Sequence, residues 1–185
     1  NNCAIGNAYP TFEETRKYLA PGLFGPCGYG LPSVVGAKIG RPDVPVVGFS
    51  GDGAFGIAVN ELTAIGREEW PAVTQIVFRN YQWGAEKRNS TLWYDDNFVG
   101  TELDTQVSYA GIAKACGLQG VVAKTMDELT EALHTAIKDQ MENGKTTLIE
   151  AMINQELGEP FRRDAMKKPV AIAGISVSDM REQAV

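Results

Sequence analysis

The sequence predicts an α/β fold: a three-layer α/β/α domain whose mainly parallel sheet has about six strands. Three observations predict it. Apolar β-type runs at Val44 to Phe49, Val73 to Phe78, Val121 to Lys124 and Thr146 to Ile153 alternate with segments of helical length. The first two runs stop abruptly, one at Gly51-Asp52-Gly53 and the other at Asn80. That leaves a carboxylate and an amide at the carboxyl ends of two strands, which is where open parallel sheets bind ligands. Crossovers between such strands are expected to be right-handed.

The 185 residues suffice for one domain with a sizeable core. Residues 1–157 read as that domain and 158–185 as a C-terminal tail, basic at Arg162-Arg163 and Lys167-Lys168. A formal charge of −6 with no Lys/Arg run argues against a nucleic-acid partner. No stretch approaches the roughly 20 apolar residues of a membrane span. Cys3, Cys27 and Cys116 are odd in number and lack C-x-x-C spacing, which fits a reducing cytoplasm.

The chain opens Asn1-Asn2-Cys3 without a Met or a preceding strand, and so reads as part of something longer. Thr11, with Glu14 three residues on, predicts a capped short helix over Phe12 to Leu19. The Gly/Pro-rich stretch Pro21 to Gly30 is loop. A helix over Pro32 to Ile39 follows, with Pro32 in its first turn and with Gly36 and Gly40 allowing close packing on the sheet. After the first strand, Ala58, Leu62 and Ile65 mark the buried side of a helix. Glu61, on that helix, reads as a solvated or capping residue rather than a catalytic one.

A helix is expected to start near Trp83 to Asn89, and Thr91 to Phe98 reads as a contact surface. Val107 to Cys116 predicts an amphipathic helix ended by Gly117. Thr125-Met126-Asp127-Glu128 is a capping box opening a helix through Met141. His134 falls on the polar side of that helix, away from any metal or base role.

The pair at the strand ends suggests chemistry by itself. A hard divalent cation such as Mg²⁺ takes oxygen ligands from one or two protein groups and from substrate phosphates. Asp52 offers a carboxylate and Asn80 an amide oxygen. The turning backbone beyond Asn80 adds a carbonyl, that of Gln82 being best placed. Glycines beside Asp52 let main chain approach a phosphate, with Gly53 and Ala54 offering N–H donors. Gly-Asp-Gly alone also reads as an ordinary turn. The matching Asn80, 80 − 52 = 28 positions on, favours a site for a Mg²⁺-diphosphate.

Gly51-Asp52-Gly53, the intervening helix and Asn80 resemble the thiamine-diphosphate motif of the acetolactate synthase and pyruvate decarboxylase superfamily. The resemblance implies that Asp52, Asn80 and the backbone oxygen of Gln82 hold Mg²⁺. One departure is Arg79-Asn80, where the family usually has Asn-Asn. The resemblance also implies that Asn1 and Asn2 reach the cofactor's diphosphate, and that Gly84 lies beside the cofactor. The loop ending Gly28-Tyr29-Gly30-Leu31-Pro32 is similar to the family's second cofactor element. There Gly25 and Pro26 flank Cys27, which stands where a larger aliphatic side chain usually supports the bent cofactor. Lys87 and Arg88 border the implied substrate channel and suit an anionic group.

Three phrases, Asn2 to Pro10, Gly22 to Gly30 and Glu159 to Asp164, look like the C-terminal part of the sulfoacetaldehyde acetyltransferases. That likeness implies conversion of sulfoacetaldehyde and phosphate into acetyl phosphate and sulfite. It further implies that the activating Glu and the pyrimidine-binding domain lie N-terminal to this chain. The chain alone is therefore expected to be inactive and, with a domain-facing surface exposed, to form a homo-oligomer. Two other readings stand beside it: the cofactor subunit of a two-chain sulfopyruvate-type decarboxylase, and a non-catalytic cofactor-binding or assembly module.

Overall fold

Apolar β-runs and helical segments alternate along the chain, and they fold as a parallel sheet between two helical layers. A computed structural model describes residues 2–14, 16–22 and 24–156. Asn1 and the tail from 158 onward, including the phrase Glu159 to Asp164, lie outside them.

The elements in order are α1 (Asn2–Ala8), α2 (Gly30–Gly40), β1 (Val47–Gly51), α3 (Asp52–Ile57), a 3₁₀ turn (Val59–Glu61), α4 (Leu62–Ile65) and β2 (Thr74–Arg79). They continue with α5 (Gly84–Trp93), α6 (Tyr109–Ala115), β3 (Gln119–Ala123), α7 (Met126–Glu142) and β4 (Thr147–Met152). The described strands number four, ordered β1-β2-β4-β3 and all parallel. The expectation of about six is corrected here. Only four segments carry a β-type run, and each forms its strand within a few residues of the expected bounds.

Strand alternation sorts side chains to opposite faces. One face presents Val73, Val77 and Leu148, covered by Leu31, Val34 and Val35 of α2, Phe55 and Leu62 of the α3–α4 segment, and Tyr109, Ala110 and Ala113 of α6. The other presents Ile76, Ile149 and Ala151, with Phe49 and Phe78, and packs against Leu129, Leu133 and Ala136 of α7. Gln140 of α7 ties the edge of the sheet: its Oε1 accepts from Val46 N–H, and its Nε2 donates to Val46 O and Thr74 Oγ1.

The capping box forms as read, with Thr125 Oγ1 accepting from Glu128 N–H while Glu128 Oε2 accepts from Lys124 N–H. His134 and Glu61 are exposed, as their positions implied. Among the described residues of 12–19 there is no helix, against expectation. Eight residues form a marginal helix, Arg16 adopts a positive φ of 61°, and Tyr18 instead stacks between Phe12 and Phe49. Gly36 and Gly40 face open space rather than the sheet. The expected single helix after Asp52 is broken into α3, the 3₁₀ turn and α4, yet Leu62 and Ile65 remain in the core.

Candidate functional site

β1 ends at Gly51 and delivers Asp52 as the first residue of α3, with its side chain buried. β2 ends at Arg79 and delivers Asn80 beside it, because Gly51 and Phe78 are register partners. The two strand ends therefore meet. Asp52 Oδ2 accepts from the N–H groups of Asn80 at 3.0 Å and Tyr81 at 2.7 Å. Asp52 Oδ1 accepts from Gly53 N–H at 3.0 Å. Asn80 Oδ1 accepts from Gln82 N–H at 3.3 Å.

Gln82 pairs with Glu102 in an isolated antiparallel bridge. The bridge's bonds run from Trp83 N–H to Thr101 O and from Leu103 N–H to Tyr81 O, so Gln82's own carbonyl takes no part in it. The loop is fastened from below by Gln155, whose Nε2 donates to Asn80 O while its backbone O accepts from Gln82 Nε2. Gln82 Oε1 is buried and has no partner among the described residues.

The glycines behave differently from expectation in one respect. Gly53 N–H is already given to Asp52 Oδ1, and a Cβ built at Gly53 would lie 2.8 Å from the Trp83 ring. Close packing on Trp83 therefore requires Gly53, and the donor expected to serve a diphosphate is engaged within the motif. Ala54 is half-buried in the next position, and Gly84 is buried at the start of α5.

Two further predicted segments converge on the strand ends. Asn2, in a helix rather than the expected loop, places its Nδ2 3.0 Å from a Cβ built on Gly51. The Gly/Pro loop lies over the end of α3: a Cβ at Gly28 would meet Ile57 at 3.0 Å. Gly22, Gly25 and Gly28 all take positive φ, which accounts for glycine there. Cys27 is exposed in this loop, beside Pro26, and its thiol is pushed up by burial and then by the Glu86 carboxylate.

Lys87 is half-buried, paired with Glu102 and 5.3 Å above the Phe98 ring. Arg88 beside it is also half-buried.

Among the described residues no three His, Cys, Asp or Glu side chains are placed to hold a metal together. The donor set at the strand ends is of another kind: one carboxylate, one amide oxygen and one main-chain carbonyl. Among the described residues Asp52 Oδ1 and Asn80 Oδ1 each accept a single hydrogen bond, which leaves each a lone pair. Such hard oxygens fit Mg²⁺.

Comparison with known proteins bears on the same residues. The family model described as "Thiamine pyrophosphate enzyme, C-terminal TPP binding domain" matches residues 1–151. The chain belongs to this family. As a thiamine-pyrophosphate-binding C-terminal domain, it is 87% identical over its whole length to a sulfoacetaldehyde acetyltransferase of Roseovarius nubinhibens, covering 30% of that protein. It is 79% identical to the same-named protein of Rhodobacter capsulatus, over 99% of this chain and 31% of the relative. The chain thus spans about three-tenths of these relatives' length. A solved thiamine diphosphate-dependent 4-hydroxybenzoylformate decarboxylase from Rhodococcus jostii superposes with a TM-score of 0.63 at 27% identity, covering 73% of this chain and 24% of that one.

Arg79, Glu150 and Gln155 are missed from sequence. Arg79 registers there only as a departure at the end of an apolar run, and Glu150 stands inside another run as an unexplained charge. Those two misfits are the available signal, since a charge in a buried strand needs a partner.

Proposed function

We propose that this chain is the cofactor-holding C-terminal part of an acetyltransferase that converts sulfoacetaldehyde and phosphate into acetyl phosphate and sulfite. Thiamine diphosphate is held through Mg²⁺. The observation that carries the reading is the meeting of Asp52 and Asn80 at two adjacent strand ends, with lone pairs remaining on Asp52 Oδ1 and Asn80 Oδ1. The identity of 87% to a sulfoacetaldehyde acetyltransferase supports the choice of substrates.

When bound, thiamine diphosphate supplies the carbanion chemistry, and the protein contributes binding and orientation. Asp52, Asn80 and the Gln82 carbonyl would hold the metal. Asn1, Asn2 and Ala54 N–H would line the diphosphate, with Gly84 alongside. Gly25, Pro26 and Cys27 would support the cofactor from the opposite loop. Lys87 would exchange Glu102 for the substrate's sulfonate, with Arg88 as a second cation. The activating Glu and the pyrimidine-binding surface would come from an N-terminal domain, in a cytoplasmic homo-oligomer.

Titration calorimetry of the chain with thiamine diphosphate, with and without Mg²⁺, tests the site. Mg²⁺-dependent binding that disappears in Asp52→Ala is the expected result. Binding that survives in Asp52→Ala would overturn the metal assignment, and turnover of sulfoacetaldehyde by the chain alone would overturn the need for another domain.

A further inference from the structure

Arg79 is 1% exposed, and its guanidinium stands between two buried carboxylates. Nη1 lies 3.3 Å from Asp52 Oδ2, and Nε lies 3.5 Å from Glu150 Oε1, an ion pair without hydrogen-bond geometry. Nη2 donates to Asp104 O at 2.6 Å and Val107 O at 3.0 Å. The plane is boxed in by the Tyr81 ring at 4.2 Å and the Tyr109 ring at 5.0 Å. Glu150 is fixed in turn: its Oε2 accepts from Ser108 Oγ and from Ala110 N–H at the start of α6. Tyr109 O–H donates to Asp52 O, which closes the circuit.

The two oxygens of Asp52 are unequal because of this arrangement. Among the described residues Oδ2 carries three donors, from Arg79, Asn80 and Tyr81, whereas Oδ1 carries only Gly53 N–H. Glu150 has a separate electrostatic part. Unshared, the arginine would cancel the Asp52 charge and repel a cation. Shared with Glu150, it leaves the trio at net −1.

We propose that Arg79, backed by Glu150, is a positioning residue that turns Asp52 Oδ2 inward and reserves Oδ1 for the metal. The proposal rests on the Mg²⁺–thiamine diphosphate reading above and adds how the carboxylate is aimed. The arginine fork donates to three acceptors, Asp52 Oδ2, Asp104 O and Val107 O, and pairs with Glu150 through Nε, a span that a shorter side chain could not cover. Lysine, a point charge on a flexible stem, would not reproduce that fork.

The test uses the 185-residue chain with Arg79→Lys and Glu150→Gln, and it has two readouts. One is hydrogen exchange of the Asn80 and Tyr81 amides in the absence of cofactor, because both donate to Asp52 Oδ2. The other is the Mg²⁺ concentration needed for thiamine diphosphate binding by calorimetry. The expected result is at least about tenfold faster exchange of those two amides in Arg79→Lys, with the rest of β2 still protected. Mg²⁺ affinity should fall about 10–100-fold, as it does when outer-shell partners of a metal ligand are altered. Glu150→Gln, which does not touch Asp52, should move both readouts in the same direction by less. Unchanged protection and affinity in both variants would overturn the proposal. Uniform loss of protection across β2 and β4 would also overturn it, by making the cluster a structural support only. Should the parent chain bind no Mg²⁺–thiamine diphosphate, the functional reading fails, while amide exchange still decides the role of Arg79.

Discussion

Cys27 shows how one residue's surroundings set its chemistry. It is exposed, yet burial of part of the side chain raises its pKa, and the Glu86 carboxylate raises it further. Both causes disfavour the thiolate. The folded chain therefore holds this proton to higher pH than the unfolded chain does, so this group's stabilising contribution is lost as pH rises above the unfolded value. A thiol in that state suits a supporting surface rather than a nucleophile, since the thiolate is the reactive form. Iodoacetamide labelling of Cys27, followed by mass spectrometry across pH 7 to 10, should give a rate midpoint above that of an unfolded peptide of the same sequence. Glu86→Gln should lower the midpoint without abolishing the shift, because burial is the larger cause. A midpoint at or below the peptide's would remove the argument.

At the scale of elements, the strand ends are held by a fit between α3 and the loop after β2. The Trp83 ring lies against Gly53 so closely that a methyl group has no room, at 2.8 Å from two ring carbons. Gly53→Ala should therefore destabilise the chain by about 1–3 kcal/mol, the usual cost of overpacking, as read by urea unfolding. Adding Trp83→Leu should recover most of that loss, and an unchanged midpoint in Gly53→Ala would refute the contact. Sequence reading finds Gly53 beside the cofactor but not its packing on Trp83, because a glycine's neighbour across the fold is invisible in one dimension. It finds Asp52 and Asn80 for a sounder reason: strand periodicity and a turn residue at each end fix both positions. The capping box, the four β-runs and the buried Leu62 and Ile65 were legible for the same local reason. Arg79, Glu150 and Gln155 were not, because each acts through a partner far along the chain. The helix expected over Phe12 to Leu19 fails in the other direction: local capping signals are too weak for so short a helix, and the chain instead stacks Tyr18 between Phe12 and Phe49.

For the whole molecule, the distribution of apolar surface decides how the chain behaves in solution. Two apolar clusters flank the sheet, whereas Tyr9, Leu19 and Phe24 are 72, 63 and 91% exposed, with Phe12 at 47%. They fall within one short stretch ahead of α2, in the segment that also carries the Cys27 loop. Scattered exposed apolar residues are ordinary, whereas side chains this exposed and this close in sequence suit contact with another protein surface. The formal charge of −6 opposes association only through long-range repulsion, which physiological salt screens within about 8 Å. Apolar burial should then dominate at short range, and the chain should sediment as a dimer or larger species at micromolar concentration in 0.15 M salt. Replacing Leu19 and Phe24 together by Ser should move it toward the monomer, with the far-ultraviolet circular dichroism unchanged because neither residue belongs to the core. A parent chain that stays monomeric up to about 100 µM would overturn the self-association expected of this surface. If instead the parent self-associates and the double variant does so equally, the contact lies elsewhere, and the exposed C-terminal end of α5, Leu92 with the following Tyr94, becomes the next surface to alter.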